Sequence, residues 1–223
     1  MTDVAKLPLM LTELRMPTIG HLWQELGATA DKEGWGAGRF LAILCEHELA
    51  ERATRRIARH MAQSGLPAGK TLETFDFAAA PSIRKAHIAA LATGNAWIEP
   101  GANILIFGPS GTGKTHVALG LGLAACQKGL AVGFVTAAAL VHELLEARDE
   151  RRLLRLHKQL TGYKLLIVDE LGYVPLSPSG AELLFEVFSR RYERGSVLVT
   201  SNLPFDEWTS VFGSLNTACC PSG

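Results

Sequence analysis

Residues 108–115 read Gly-Pro-Ser-Gly-Thr-Gly-Lys-Thr, and this octapeptide narrows the possible folds more than any other stretch of the chain. It satisfies G-x-x-x-x-G-K-[ST] at every fixed position. The apolar run Asn103–Phe107 precedes it, and Thr115–Lys128 reads as a helix behind it. A strand, a glycine turn and a helix in that order let successive backbone N–H groups converge on an anion, which also meets the positive end of the helix. The pattern therefore predicts a polyphosphate ligand cradled by Gly108, Pro109, Ser110, Gly111, Thr112 and Gly113. Lys114 is placed to reach the β- and γ-phosphates, and the Thr115 hydroxyl to bind Mg²⁺. A bare glycine-rich turn could match by accident; four specified positions between a strand and a helix argue against that.

A second signal, Leu165-Leu-Ile-Val-Asp169-Glu170, sets two acids at the end of four apolar residues. Open α/β sheets bind ligands at the carboxyl ends of their strands. Asp169 is the expected Mg²⁺ ligand, through water, and Glu170 the group that orients or deprotonates an attacking water. A helix cap after a strand would look the same, but the phosphate-loop motif upstream favours chemistry. A third signal is Asn202, which follows the run Val197–Ser201; its amide is placed to contact the γ-phosphate or the water, although it could simply turn the chain before Pro204. With Ala131–Thr136, the apolar runs number four. They alternate with helical stretches at 115–128, 138–160 (in two pieces) and 180–194, the signature of a parallel sheet covered on both faces. The predicted fold is α/β, a P-loop NTPase sheet flanked by helices.

The first 66 residues differ in texture, with apolar positions recurring at helical spacing on both sides of Pro17. Phe40–Ser64 reads as one long helix stopped by Gly65, its apolar side carrying Phe40, Leu41, Leu44, Cys45, Leu49, Ile57 and Met61. Ser82 is a candidate cap for a helix through Ile83–Leu91. The expected domains are helical 1–66, a linker with a lead-in helix at 67–100, a nucleotide-binding core at 101–213, and a tail at 214–223.

With 22 basic and 22 acidic residues, the formal charge is zero. A global basic field for wrapping nucleic acid is excluded, and the self-repulsion that opposes oligomerisation is absent. The four cysteines form no CxxC or zinc spacing, as suits a reducing compartment. No signal peptide or run of membrane-spanning length is visible, so the expected setting is cytoplasmic, without a membrane.

Local basic stripes survive the neutral total. Arg52, Arg55, Arg56 and Arg59 fall at i, i+3, i+4 and i+7, and Arg148, Arg151, Arg152 and Arg155 repeat the spacing. Such rows can bind a phosphate backbone without reading sequence. A solvated helix face gives the same pattern; two rows in one nucleotide-binding chain favour DNA contact. The histidines are scattered, and His116, just behind the phosphate loop, is expected to pack or meet solvent. The tryptophans are expected to be packing anchors.

These residues resemble the IstB-like ATP-binding proteins, helper ATPases of bacterial insertion sequences within the AAA+ superfamily and related to DnaC-type helicase loaders. The resemblance rests on Thr74–Phe77, Asn103–His116, Leu165–Leu176, Gly180–Phe185, Arg191–Gly195 and Ser201–Phe205, within residues 9–213. It extends the ATP-binding stretch through His116 and implies strands in the order 5-1-4-3-2. It implies that the protein oligomerises, binds duplex DNA without sequence specificity through its basic helices, and hands target DNA to a partner transposase. Residues 1–66 then become a DNA-binding and oligomerisation domain. Beyond Gly213 the sequence departs from the family pattern, and no Lys or Arg follows Arg194. An Arg from that region supplies transition-state charge in such ATPases, so the expectation is a C-terminally truncated relative that lacks the final strand and binds nucleotide better than it hydrolyses it. Two other readings stay open: a helicase-loader-like ATP switch in replication, and an inactive degenerate fragment.

Overall fold

The structure, a computed structural model, describes residues 4–94, 96–98, 101–204 and 207–212. Residues 213–223, and with them the expected tail at 214–223, lie outside the described residues. The chain divides into two compact units, 1–58 and 59–223. Among the described residues no helix is long and apolar enough to cross a membrane.

The first unit contains a 3-10 turn (Val4–Lys6), α1 (Leu7–Glu13), α2 (Pro17–Glu33) and most of α3 (Ala37–Gln63). Pro17 starts α2 at a position where its missing N–H costs nothing. Leu11, Ile19 and Leu44 are buried against Leu22, Trp23, Leu26 and Phe40. Leu41 and Leu49, expected on the apolar side of α3, are 59% and 66% exposed. The three-helix core is narrower than the apolar stripe, so the flanks of the stripe stay in water.

No side chain at Met16 caps α2. The cap comes instead from α3: Glu48, 4% exposed, accepts from the backbone N–H groups of Thr18 and Ile19 at 2.9 and 3.1 Å. Arg52 Nε donates to the same carboxylate at 2.8 Å, and Arg55 stands 3.6 Å away. Burial alone would raise the Glu48 carboxyl. The Arg52 hydrogen bond and the two N–H groups outweigh it and hold the group below its ordinary 4.5. A carboxyl that titrates lower when folded stabilises the fold above its unfolded value and loses that contribution as pH falls through its folded one.

The second unit continues from the end of α3 through irregular chain to α4 (Lys85–Thr93). Ser82 does not cap this helix; Arg84 holds the cap position, with no side-chain bond. Four strands follow: β1 (Ile104–Phe107), β2 (Val132–Thr136), β3 (Leu165–Leu171) and β4 (Ser196–Ser201). They form one parallel sheet in the order β1-β4-β3-β2, the order the resemblance implies for these four. Helix α5 (Lys114–Gln127) joins β1 to β2, α6 (Ala137–Asp149) and α7 (Leu153–Gly162) join β2 to β3, and α8 (Pro178–Arg191) joins β3 to β4. A short α9 (Trp208–Phe212) follows.

Alternate strand residues face opposite layers. Leu166, Val168, Val197 and Val199 pack on α6, α7, α8 and α9. Leu165, Ile167 and Leu198 pack on α5 and α4. Because α5 and α8 lie on opposite faces, the chain leaving β1 and the chain leaving β3 diverge. The crevice between them opens at the carboxyl ends of β1, β4 and β3.

One buried cation ties these layers together. Arg191, 2% exposed, donates to the carbonyls of Leu160, Tyr163 and Ser196. It thereby satisfies the end of α7 and the start of β4 at once. Burial pushes its guanidinium down to about 10, which still leaves it charged at neutral pH.

Two outcomes follow. Arg191→Met removes all three donors while keeping the apolar stem, and should destabilise the second unit by about 3 kcal/mol in urea unfolding. Between pH 6 and pH 3, Glu48→Gln should flatten the acid-induced loss of stability that the intact chain shows as pH drops below 4.5, read by helical circular dichroism during chemical unfolding.

Candidate functional site

The phosphate loop leaves β1 while still on the sheet: Gly108 N donates to Ser201 O at 3.2 Å. It closes at Gly113, whose φ of 86° is left-handed and favours glycine. Helix α5 starts at the next residue. Lys114 is 9% exposed and its ammonium donates to Gly108 O and Pro109 O, both at 2.8 Å. Burial lowers its pKa, and the charge of Asp169 restores part of the shift.

Thr115, one residue along α5, donates from Oγ1 to Asp169 Oδ1 at 3.1 Å. Asp169, 2% exposed at the end of β3, also accepts from Thr200 Oγ1 on β4. Two hydroxyls from two different elements thus fix one carboxylate. A carboxylate and a hydroxyl beside a phosphate loop are the hard oxygen donors a Mg²⁺ ion takes, with phosphate oxygens and waters completing its shell.

Glu170 owes its position to an irregularity in the sheet. Val168 pairs with Val199 and Leu171 with Ser201. Over this step β3 advances three residues while β4 advances two, which is a bulge. Glu170 takes the extra place with φ of 62°, a left-handed conformation that a non-glycine residue rarely adopts unless its surroundings hold it there. Its N–H donates to Thr200 Oγ1 at 3.0 Å. Thr200 therefore holds both acids, one by its proton and one by its lone pair.

The result is a cleft of about 350 Å³. Of the residues the sequence singles out, Ser110, Gly111, Gly113, Lys114, Thr115, His116, Glu170 and Asn202 line it, and Asp169 lies beneath, bonded to Thr115. Gly108 and Pro109 contribute the carbonyls that hold Lys114, and Thr112 bonds back to Pro109 O at 2.8 Å. His116 Nε2 lies 2.8 Å from Thr71 O and 3.2 Å from Thr74 Oγ1. Lys70, Tyr173 and Thr200 also line the cleft, and sequence reasoning passed over all three. Only Thr200 left a trace, as a hydroxyl inside an otherwise apolar strand.

The arginine rows fare differently. Arg52, Arg55, Arg56 and Arg59 are all exposed on α3, but Arg52 and Arg55 also serve Glu48. Arg148, Arg151, Arg152 and Arg155 are exposed too, yet α6 ends at Asp149 and α7 begins at Leu153. Arg151 turns the chain with φ of 57°, so helical spacing does not put these four on one face. Arg148 pairs with Asp149, and Arg152 with Glu150.

A Sinorhizobium fredii protein named as an insertion sequence ATP-binding protein is 49% identical over 210 residues, covering 94% of this chain and 70% of that one. Among solved structures, the DnaC helicase loader superposes with a TM-score of 0.56 at 23% identity, covering 65% of this chain and 87% of that one. The AMPPCP-bound DnaA of Aquifex aeolicus superposes with a TM-score of 0.52 at 22% identity, covering 62% of this chain and 44% of that one. These two likenesses establish the AAA+ type of P-loop fold. The profile of the family described as IstB-like ATP binding protein matches residues 9–219, and the chain belongs to that family.

Proposed function

We propose that the protein binds ATP with Mg²⁺ in this cleft, hydrolyses it, and uses the nucleotide cycle to assist a partner transposase on duplex DNA in the cytoplasm. The observation that carries the reading is the 3.1 Å hydrogen bond from Thr115 to Asp169, which joins the phosphate loop to the paired acids of β3. In this reading the loop N–H groups and Lys114 hold the phosphates, and Thr115 and Asp169 hold the ion. A bound Mg²⁺ supplies charge neutralisation at the phosphate oxygens. Glu170 orients the attacking water or takes its proton, with Asn202 contacting the γ-phosphate or the water. The bulge that fixes the Glu170 backbone supports this role, since a base must sit at a set distance from the water it activates.

Support for the transposition setting comes from the insertion-sequence relative. In this setting residues 1–66 serve DNA binding and self-association, which the zero formal charge does not oppose. Arg56 and Arg59 are the α3 arginines best suited to DNA phosphates, because Arg52 and Arg55 already answer to Glu48. Capture of a transposase by the purified chain supports this reading; capture of a replicative helicase instead favours the loader-like one.

Hydrolysis is the first test. Turnover that duplex DNA raises, and that Glu170→Gln lowers by about a hundredfold or more with ATP binding retained, is the expected result. Equal turnover by Glu170→Gln removes Glu170 from the reaction. For DNA, Arg56→Ala with Arg59→Ala should reduce the slope of log affinity against log salt by about two, equally for unrelated duplexes. An unchanged slope takes these arginines out of the interface.

A further inference from the structure

The irregular segment ahead of α4 does more than connect. It lies along one side of α5, past the N-cap Gly113 and then His116 and Gly120, which follow it by three and seven residues. Two of the three lack side chains, and the segment fills the space. A Cβ on Gly113 would lie 2.5 Å from Phe75 Cε2, and one on Gly120 would lie 2.5 Å from Leu72 Cδ2 and 3.1 Å from Leu72 N. Between them His116 makes the polar contacts. Its Nε2 lies 2.8 Å from Thr71 O and 3.2 Å from Thr74 Oγ1, and its ring meets Phe75 edge-on with centroids 5.2 Å apart. A carbonyl only accepts, so Nε2 carries the imidazole proton. Thr71 and Thr74 bond to each other across the turn, which stiffens the segment against the helix.

Lys70 immediately precedes this clamped stretch and lines the cleft together with residues of the phosphate loop. Among the described residues no carboxylate pairs with it. Lys114, the motif lysine, is committed to two loop carbonyls. Lys70 is thus a cation without a carboxylate partner among the described residues, lining an anion site beside a segment whose Leu72 and Phe75 anchor it to the core under α5.

We propose that Lys70 is a second lysine for the nucleotide's polyphosphate, and that His116 is its positioning residue, holding the 71–77 segment on α5 so that Lys70 faces the cleft. The inference rests on the reading of the cleft as the ATP site. It predicts that the charge of Lys70 matters more as the ligand carries more phosphate. It also predicts that His116 acts on ATP only through Lys70.

The test is binding of Mg·ATP, ADP and AMP to the full chain, followed by calorimetry or a fluorescent analogue. Lys70→Met should weaken ATP about tenfold, the scale of one charge-assisted contact. ADP should weaken less and AMP least, while Lys70→Arg should stay near the intact chain. His116→Ala should weaken ATP similarly, His116→Gln should restore most of it, and the Lys70→Met/His116→Ala double variant should be no weaker than the weaker single. Melting temperatures without nucleotide separate these effects from a damaged fold. Equal ATP affinity in Lys70→Met, or equal losses for all three nucleotides, overturns the role of Lys70. Fully additive losses in the double variant overturn the positioning role of His116. If the intact chain itself binds no ATP, the reading of the cleft falls and this inference with it; tight binding by the intact chain and by Lys70→Met alike defeats the inference alone.

Discussion

The carboxylate of Asp169 is the fixed point of the second unit. It is buried at the end of a central strand and accepts hydroxyls from α5 and from β4. A buried anion is tolerable only when such donors surround it. Meeting that need forces three elements to converge: the helix behind the phosphate loop, the strand that carries the acids, and the strand beside it. The loop is tied in at the same point, because Thr115, in the first turn of α5, is the residue that reaches Asp169. The site and the sheet are one construction here. A change that loosens the acid also loosens the joint between the two central strands and the helix that crosses them.

Much of this was legible in advance because the signals are local. The octapeptide, the apolar run ending in two acids and the alternation of short strands with helices each lie within one element, so spacing alone locates them. The alternation also fixes which strand residues face which layer. What escaped is non-local. Thr200 matters because a bulge brings it beside two acids 30 and 31 residues away, and no spacing rule encodes a bulge. Lys70 and its neighbours have no periodicity to read. Their signal lies in another element, as the glycine at position 120 inside a helix that would be more stable with alanine there.

The arginine rows teach the converse. Helical spacing is evidence of a face only where the helix is continuous. On α3 it is continuous, and two of the four arginines turn out to serve a buried glutamate. Between α6 and α7 the left-handed Arg151 breaks it, and the same spacing has no geometric meaning. Exposed charge at helical intervals is therefore a weaker guide than a buried charge with named partners. Arg191, whose role no helical spacing reveals, holds the carbonyls of Leu160, Tyr163 and Ser196.

The carbonyl contacts of Lys114 have a consequence for selectivity. An ammonium already shared between Gly108 O and Pro109 O is surrendered to an incoming anion only by exchange. The measured affinity is then a difference between two sets of bonds. A monoanion that offers one oxygen gains little over the carbonyls it displaces, whereas a chain of phosphates offers several at once and recruits the loop N–H groups together. On the proposed reading of the cleft, the lysine would then act as a threshold that favours a chain of phosphates over small anions.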